Sequence, residues 1–277
     1  MTLAVVTDSA ACLPPALARA RGITVVALHA IPGEDDAPAT TARPSVHELA
    51  QAYRQALGHA DEVLALHLAS ALSGTVDNAY LAARQVAADS GRVTVLDSGT
   101  SGGALGLAAL AAAEAGDARA GAARARESAA RSHVFFLVED LAHLRRGGRI
   151  DRSTALIGSA LGIRPVLAAG PTGISVVETV RGAVRARRHL IAQAVRAAGG
   201  TALRGPRVAA DPVRLAVHYS EDLAAGQDLV SDLAEAMADA GAVVESIMRT
   251  PVDAASRVHL GPGAIGVVVA PVLPPGR

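Results

Sequence analysis

No lysine occurs among the 277 residues, so every one of the 26 basic side chains is an arginine. A P-loop, a Schiff-base amine and a Ser–Lys dyad are excluded together, because each needs a lysine. Aromatic residues make up only 2% and tryptophan is absent. The chain therefore lacks the aromatic platforms on which proteins stack nucleic-acid bases. The 26 acidic residues cancel the 26 basic ones, and no arginine cluster is long enough to read as a nucleic-acid surface. The single cysteine, Cys12, excludes an internal disulfide framework or a cysteine zinc cluster and reads as a small buried residue. The longest apolar run, Ala104 to Ala113, is far short of a membrane span. Met1 to Thr7 reads as a first strand rather than a basic leader. The expectation is a soluble protein of a reducing cytoplasm.

What remains is an aliphatic chain, 51% hydrophobic and long enough for one large or two ordinary domains. Leu3–Thr7 predicts a buried strand ending in Asp8-Ser9, Pro14-Pro15 opens a helix to Arg21, and Ile23–Leu28 is a second strand. Gly33 to Pro44 is polar and proline-rich, which predicts a loop carrying Thr40 and Thr41. Ser45-Val-His-Glu48 is a capping box for a helix to about Ala56. Strand Val63–Leu68 runs into Ser70-Ala-Leu-Ser-Gly-Thr75, then a helix from Asn78 to Ala88. Strand Val93–Leu96 ends in Asp97-Ser98-Gly-Thr-Ser-Gly-Gly103. Helices over 104–113 and 118–131 lead to a fifth strand, Val134–Val138. Strand–helix alternation of this kind is the pattern of a parallel sheet covered on both faces.

The paired glycines Gly147-Gly148 mark a change of rhythm. A helix over 153–161, a hairpin of Ile163–Leu167 with Ile174–Thr179, and a basic helix over 181–198 follow. The loop 199–212 precedes strand Leu215–Tyr219, helix Asp222–Ala240, and strands Val243–Met248 and Ile265–Val269. The expected fold is α/β in two parts: a parallel α/β/α domain over 1–148 and a mixed-sheet α/β domain over 149–277.

The chemistry concentrates at strand ends. A helix entered through Ser73, Gly74 and Thr75 offers backbone N–H groups, two hydroxyls and a positive dipole end, which suits an anionic oxygen. Helix capping is the commoner use of the same residues, and the local sequence leaves both readings open. Asp8 is likewise either a ligand-facing residue at the carboxyl end of a strand or a cap. Gly261-Pro-Gly-Ala-Ile-Gly266 matches G-x-G-x-x-G but is followed by a strand rather than a helix, and Asp97 to Gly106 has the wrong glycine spacing. A nucleophile elbow at Ser73 would need glycines where Ala71 and Thr75 stand. The nine histidines show no ligand spacing. Neither a metal nor a cofactor is expected.

Seven segments, in order, resemble the DegV family of bacterial fatty-acid-binding proteins. They are Val5-Val-Thr-Asp-Ser9, Ser70-x-Leu-Ser-Gly-Thr75, Asp97-Ser98, Leu141-x-x-Leu-x-x-Gly-Gly-Arg-Ile150, Ile163-x-Pro-Val-Leu167, Val180-Arg181 and His259-x-Gly-Pro-Gly263. The resemblance implies a two-domain carrier with no catalytic residue of its own. A long-chain fatty acid lies in an apolar tunnel between the domains and is presented to an ATP-dependent kinase that makes an acyl phosphate. Ser73 is similar to the family's carboxylate-binding serine. Thr41, in Thr41-Ala-Arg-Pro-Ser45, is similar to a threonine on the family's Thr-Ser-Gln-Pro-Ser loop, with Gly74 and Thr75 adding an N–H and a hydroxyl. His259 and Arg181, with Asp8 and Ser98, are implied as support for the head group or for phosphoryl transfer.

Departures are Ala69 for a serine, Leu260 for a smaller residue, Arg164 for a lysine, and an insertion-like 199–212. A monomer is expected, its partners the fatty acid and the kinase. The competing reading is a hydrolase or acyltransferase using Ser73 and His259.

Overall fold

The computed structural model describes residues 2–33, 38–88, 92–150, 162–200 and 211–274. In chain order the first elements are β1 (Leu3–Asp8), a 3-10 turn (Ser9–Ala11), α1 (Pro15–Ala20), β2 (Ile23–Val26), β3 (His29–Ile31), β4 (Thr40–Ala42) and α2 (Val46–Leu57). They continue with β5 (Glu62–His67), α3 (Thr75–Ala87), β6 (Val93–Asp97), α4 (Gly103–Ala113) and α5 (Ala118–Ala130). Strands β2, β1, β5 and β6 form, in that order, a sheet whose neighbours are all parallel. β1 and β5 are buried over nearly their whole length, as strands covered on both faces must be. On one face, Leu49 and Tyr53 of α2 and Ala79 and Ala82 of α3 pack on Val6, Val63 and Ala65. α4 is apolar on all sides and buried from Gly103 to Ala112, which is how an unpatterned helix is accommodated.

The second set is β7 (His133–Leu137), α6 (Ala142–Arg146), β8 (Ile163–Gly170), β9 (Gly173–Arg181), α7 (Ala183–Ala197), β10 (Val213–Tyr219), α8 (Leu223–Asp239), β11 (Val244–Pro251), α9 (Ala254–Leu260) and β12 (Ile265–Pro271). Its sheet runs β11-β10-β12-β7-β8-β9. Only β10 and β11 are parallel neighbours; the other pairs are antiparallel. Leu190 of α7 with Leu229, Leu233 and Met237 of α8 cover Leu215, Val217 and Val267 of this sheet. Phe136, Leu144, Leu167 and Ala264 form a separate cluster. The mixed α/β architecture expected from sequence is what the chain adopts.

Several boundaries differ from the expectation. Strand β7, expected as a fifth parallel strand of the first half, pairs antiparallel with β12 and β8. The chain divides into a unit running to Ala130 with Asp253–Val258 and the stretch from Leu273, and a unit of Arg131–Val252 with His259–Val272. An apolar strand after a helix suits either sheet, so alternation alone could not tell which one β7 joins. Thr40 and Thr41, expected on a loop, lie in β4, where Thr41 pairs with Ala30 and Thr40 with Ile31. Arg181, expected to open a helix, ends β9 instead, and Gly182 at φ 89° separates it from α7.

Helix α3 begins at Thr75 rather than Asn78. Helix α9 carried a signal that went unread, since the Asp253 carboxylate accepts the amides of Ala255 and Ser256. The helix expected over 153–161 and the centre of the 199–212 loop lie outside the described residues.

Candidate functional site

The turn between β5 and α3 is fixed one amide at a time. Leu68 N–H donates to Asp8 Oδ2 (3.0 Å), Ala69 N–H to the Thr100 carbonyl (2.8 Å), and Ser70 N–H to both Asp97 oxygens (3.3 Å each). Leu72 and Ser73 then donate to the Ala69 carbonyl at 2.9 and 3.2 Å, closing the bend. Ser73 Oγ accepts the Thr75 amide at 3.3 Å and lies 2.9 Å from Thr75 Oγ1. Thr75 is fully buried whereas Ser73 is half-buried. The inner hydroxyl thus holds the outer one in place. Gly74 is the N-cap of α3 and supplies no side-chain cap, which leaves a helix entrance with a positive end and a hydroxyl beside it.

The segment following Thr41 is tied to this turn. Arg43 donates to the Gly74 carbonyl (3.1 Å) and Asn78 Nδ2 to the Pro44 carbonyl (2.8 Å). A Cβ at position 74 would collide with the Arg43 guanidinium. Its φ of −75° is one that any residue adopts, so a larger residue here would displace the Arg43 guanidinium rather than strain the backbone. Thr41, Ser73, Gly74 and Thr75 therefore belong to two segments bound to one another.

Asp8 has a different place from the one implied by resemblance. Its side chain is wholly inaccessible, with Oδ1 accepting the Ala10 amide (3.2 Å) and Oδ2 facing His67 Nδ1 (3.0 Å) in addition to the Leu68 amide. Tyr53 Oη lies 3.0 Å from His67 Nε2. Burial, and secondarily the negative charge of Asp8, raises the Tyr53 pKa above its ordinary value. Its hydroxyl keeps its proton, and donation from Tyr53 to His67 and from His67 to Asp8 satisfies all three side chains. Ser98, half-buried, donates to the Thr100 carbonyl and accepts the Thr100 amide, each at 3.2 Å. Sequence reasoning passed over Arg43, Tyr53 and His67. For His67 a signal existed, since it is the only polar residue in the run Val63–Leu68.

Two further residues implied by the resemblance lie in the second unit. His259, half-buried on α9, sits so close to Gly147 that a Cβ there would meet its ring. The exposed Arg181 side chain passes Gly162, the residue before β8. Among the described residues no group of three or more His, Cys, Asp or Glu side chains is placed to hold a metal ion. No described helix is long and apolar enough to cross a membrane.

The family model for DegV, described as an uncharacterised protein family, matches residues 2–272. A DegV domain-containing protein of Streptomyces coelicolor is 36% identical over 292 residues, spanning 97% of this chain and 98% of its own length. The solved structure of a DegV family protein from Thermus thermophilus, described for its fatty acid binding, has a TM-score of 0.83 and 30% identity, covering 98% of this chain and 100% of that one. DegV of Bacillus subtilis, described as a fatty acid binding protein, has a TM-score of 0.82 and 27% identity over 98% and 100% of the two chains.

Proposed function

Since the chain belongs to the DegV family, we propose that it binds a long-chain fatty acid, with the carboxylate at the Ser73 turn and Thr41 on the adjoining strand. It acts as a carrier rather than a catalyst, presenting the carboxylate to an ATP-dependent kinase for acyl phosphate formation. The observation that carries the binding is the half-buried Ser73 hydroxyl, held by Thr75 at the entrance of α3, where the N-cap Gly74 has no side chain, and linked to the Thr41 segment through Arg43. The full-length likeness to a fatty-acid-binding protein of Thermus thermophilus supports it. The kinase step rests on the family resemblance. In the same reading His259 and Arg181 serve the head group or the phosphoryl transfer.

Physical magnitudes favour a division of labour between tail and head. Burying roughly fifteen methylenes at about 0.8 kcal/mol each is worth about 12 kcal/mol gross, against about 1.5–3 kcal/mol for a hydrogen bond to a charged group. Association and ordering take back several kcal/mol. The aliphatic chain dominates affinity, while Ser73 and Thr41 set orientation and head-group choice. Serine hydrolysis needs a base within hydrogen-bond reach of the nucleophile, and among the described residues the partners of Ser73 Oγ are the Thr75 hydroxyl and amide.

Native mass spectrometry of the purified protein tests this reading. The expected result is one fatty acid bound per chain, co-purified or loaded on addition. A protein that no added fatty acid loads overturns it. Ser73→Ala is expected to weaken binding about tenfold and to lower transfer to the kinase further, because the carboxylate loses its fixed pose. Turnover of an activated acyl ester, abolished by Ser73→Ala, would establish the hydrolase instead.

A further inference from the structure

The segment that delivers Ser73 is held by acceptors from two other strand ends. Three consecutive amides, Leu68, Ala69 and Ser70, reach three separate acceptors: Asp8 at the end of β1, and the Thr100 carbonyl and Asp97 at the end of β6. Each acceptor is itself fixed. Asp8 is held by His67 and Ala10, and the Thr100 carbonyl is shaped by the paired Ser98–Thr100 contacts. Asp97 also accepts the Gly99 amide at 2.9 Å, and the Ser98 amide donates back to the His67 carbonyl at 3.0 Å. Irregular chain held this way presents a side chain with the precision ordinarily reserved for regular elements.

Neither acid is suited to touch an anionic ligand. Asp8 is inaccessible, and a like charge beside a carboxylate head group would repel it. Their charges are instead directed at backbone N–H donors of the loop. We propose that Asp97 and Asp8 are positioning residues for head-group recognition, fixing the path of 68–70 so that the Ser73 hydroxyl meets a carboxylate in one pose. The inference deepens the fatty-acid reading above and rests on it. Asp97, half-buried at the end of β6, can be altered with less risk to folding than Asp8.

The experiment compares the binding of palmitic acid with that of the alcohol of the same chain length by wild type, Asp97→Ala and Asp97→Asn. The shared tail makes the acid-to-alcohol ratio a measure of the head-group site alone. Wild type is expected to prefer the acid. Asp97→Ala is expected to reduce that preference about tenfold, the worth of one charge-assisted hydrogen bond, with alcohol binding nearly unchanged. Asp97→Asn retains an acceptor for the Ser70 amide and is expected to keep most of the preference. Parallel loss of acid and alcohol binding would mean a merely structural role and overturn the proposal. Equal gains in acid binding by both variants would show Asp97 acting as a repelling charge, which also overturns it. Tyr53→Phe, which weakens the support beneath Asp8, is a second variant expected to lower the ratio by less. If wild type loads neither palmitic acid nor any other long-chain fatty acid, the fatty-acid reading falls with this one. Loading with an unchanged ratio in Asp97→Ala removes this one alone.

Discussion

Each unit buries a histidine on a sheet strand next to a polar junction, and the two are served differently. His67, at the end of β5, stands between the Asp8 carboxylate and the Tyr53 hydroxyl, each 3.0 Å away. His218, near the end of β10, has its Nδ1 facing the Thr250 carbonyl (3.3 Å) and hydroxyl (3.0 Å). Burial pushes the His218 pKa down to about 4, and the hydrogen bond to the Thr250 backbone only partly opposes this. A strand-end histidine is thus a linker where a carboxylate shares its site, and a neutral core residue where polar but uncharged groups do. The difference matters because only the first lies on the chain of contacts that ends at Ser73.

The largest expected effect is a pH dependence of stability carried by His218. The folded-state pKa of His218, about 4, lies below the ordinary histidine value of about 6.5. The unfolded chain therefore takes up this proton first as pH falls. The stabilising contribution is complete above pH 6.5 and is lost between about pH 6.5 and 4, to the extent of about 3 kcal/mol. Denaturant melts across that range should show a flatter pH dependence for His218→Gln than for wild type. Parallel curves would show that His218 does not carry this loss.

Next in size, Tyr53→Phe leaves His67 Nε2 without its hydroxyl partner in a fully buried position and should destabilise the first unit by about 1–3 kcal/mol. Chemical denaturation measures this, and an unchanged midpoint would dissolve the contrast between the histidines. The smallest effect concerns the start of α2, just after the strand that carries Thr41. Ser45 and Glu48 form a capping box, and His29 of β3 pairs with Glu48 at 2.9 Å. Ser45 holds the Glu48 carboxyl below its ordinary pKa. Ser45→Ala should cost about 1 kcal/mol and return the Glu48 pKa toward the ordinary range, readable by NMR titration. A Glu48 titration that does not move would place the cause elsewhere.

Legibility followed the range of the interaction. The capping box at Ser45 acts over three residues and was readable directly, as were the small polar residues at the ends of β1, β5 and β6. The β8–β9 hairpin was readable from its turn glycines and β-branched runs. Thr41 was recognised as a candidate, but its place in a strand was not. Three residues flanked by prolines show no alternation, and β4 exists because β3 supplies its hydrogen-bond partners. Arg43 looked like an ordinary charged residue until Gly74 was seen beneath it. Asp8 at its strand end reads as either ligand-facing or a cap, and the structure makes it a cap, its carboxylate accepting the Ala10 amide at the start of the 3-10 turn.

Composition and order alone determined that lysine chemistry is impossible here, that the interior is aliphatic, that hydroxyls gather at strand ends, and which family the chain resembles. Only the tertiary structure decided that β7 leaves the parallel sheet, and that Asp8 meets His67, His67 meets Tyr53 and Asp97 meets Ser70. Those partners stand 59, 14 and 27 residues apart. Such contacts depend on which strands are neighbours and in what register, a choice made by packing whole elements against one another. No local pattern of residues encodes it.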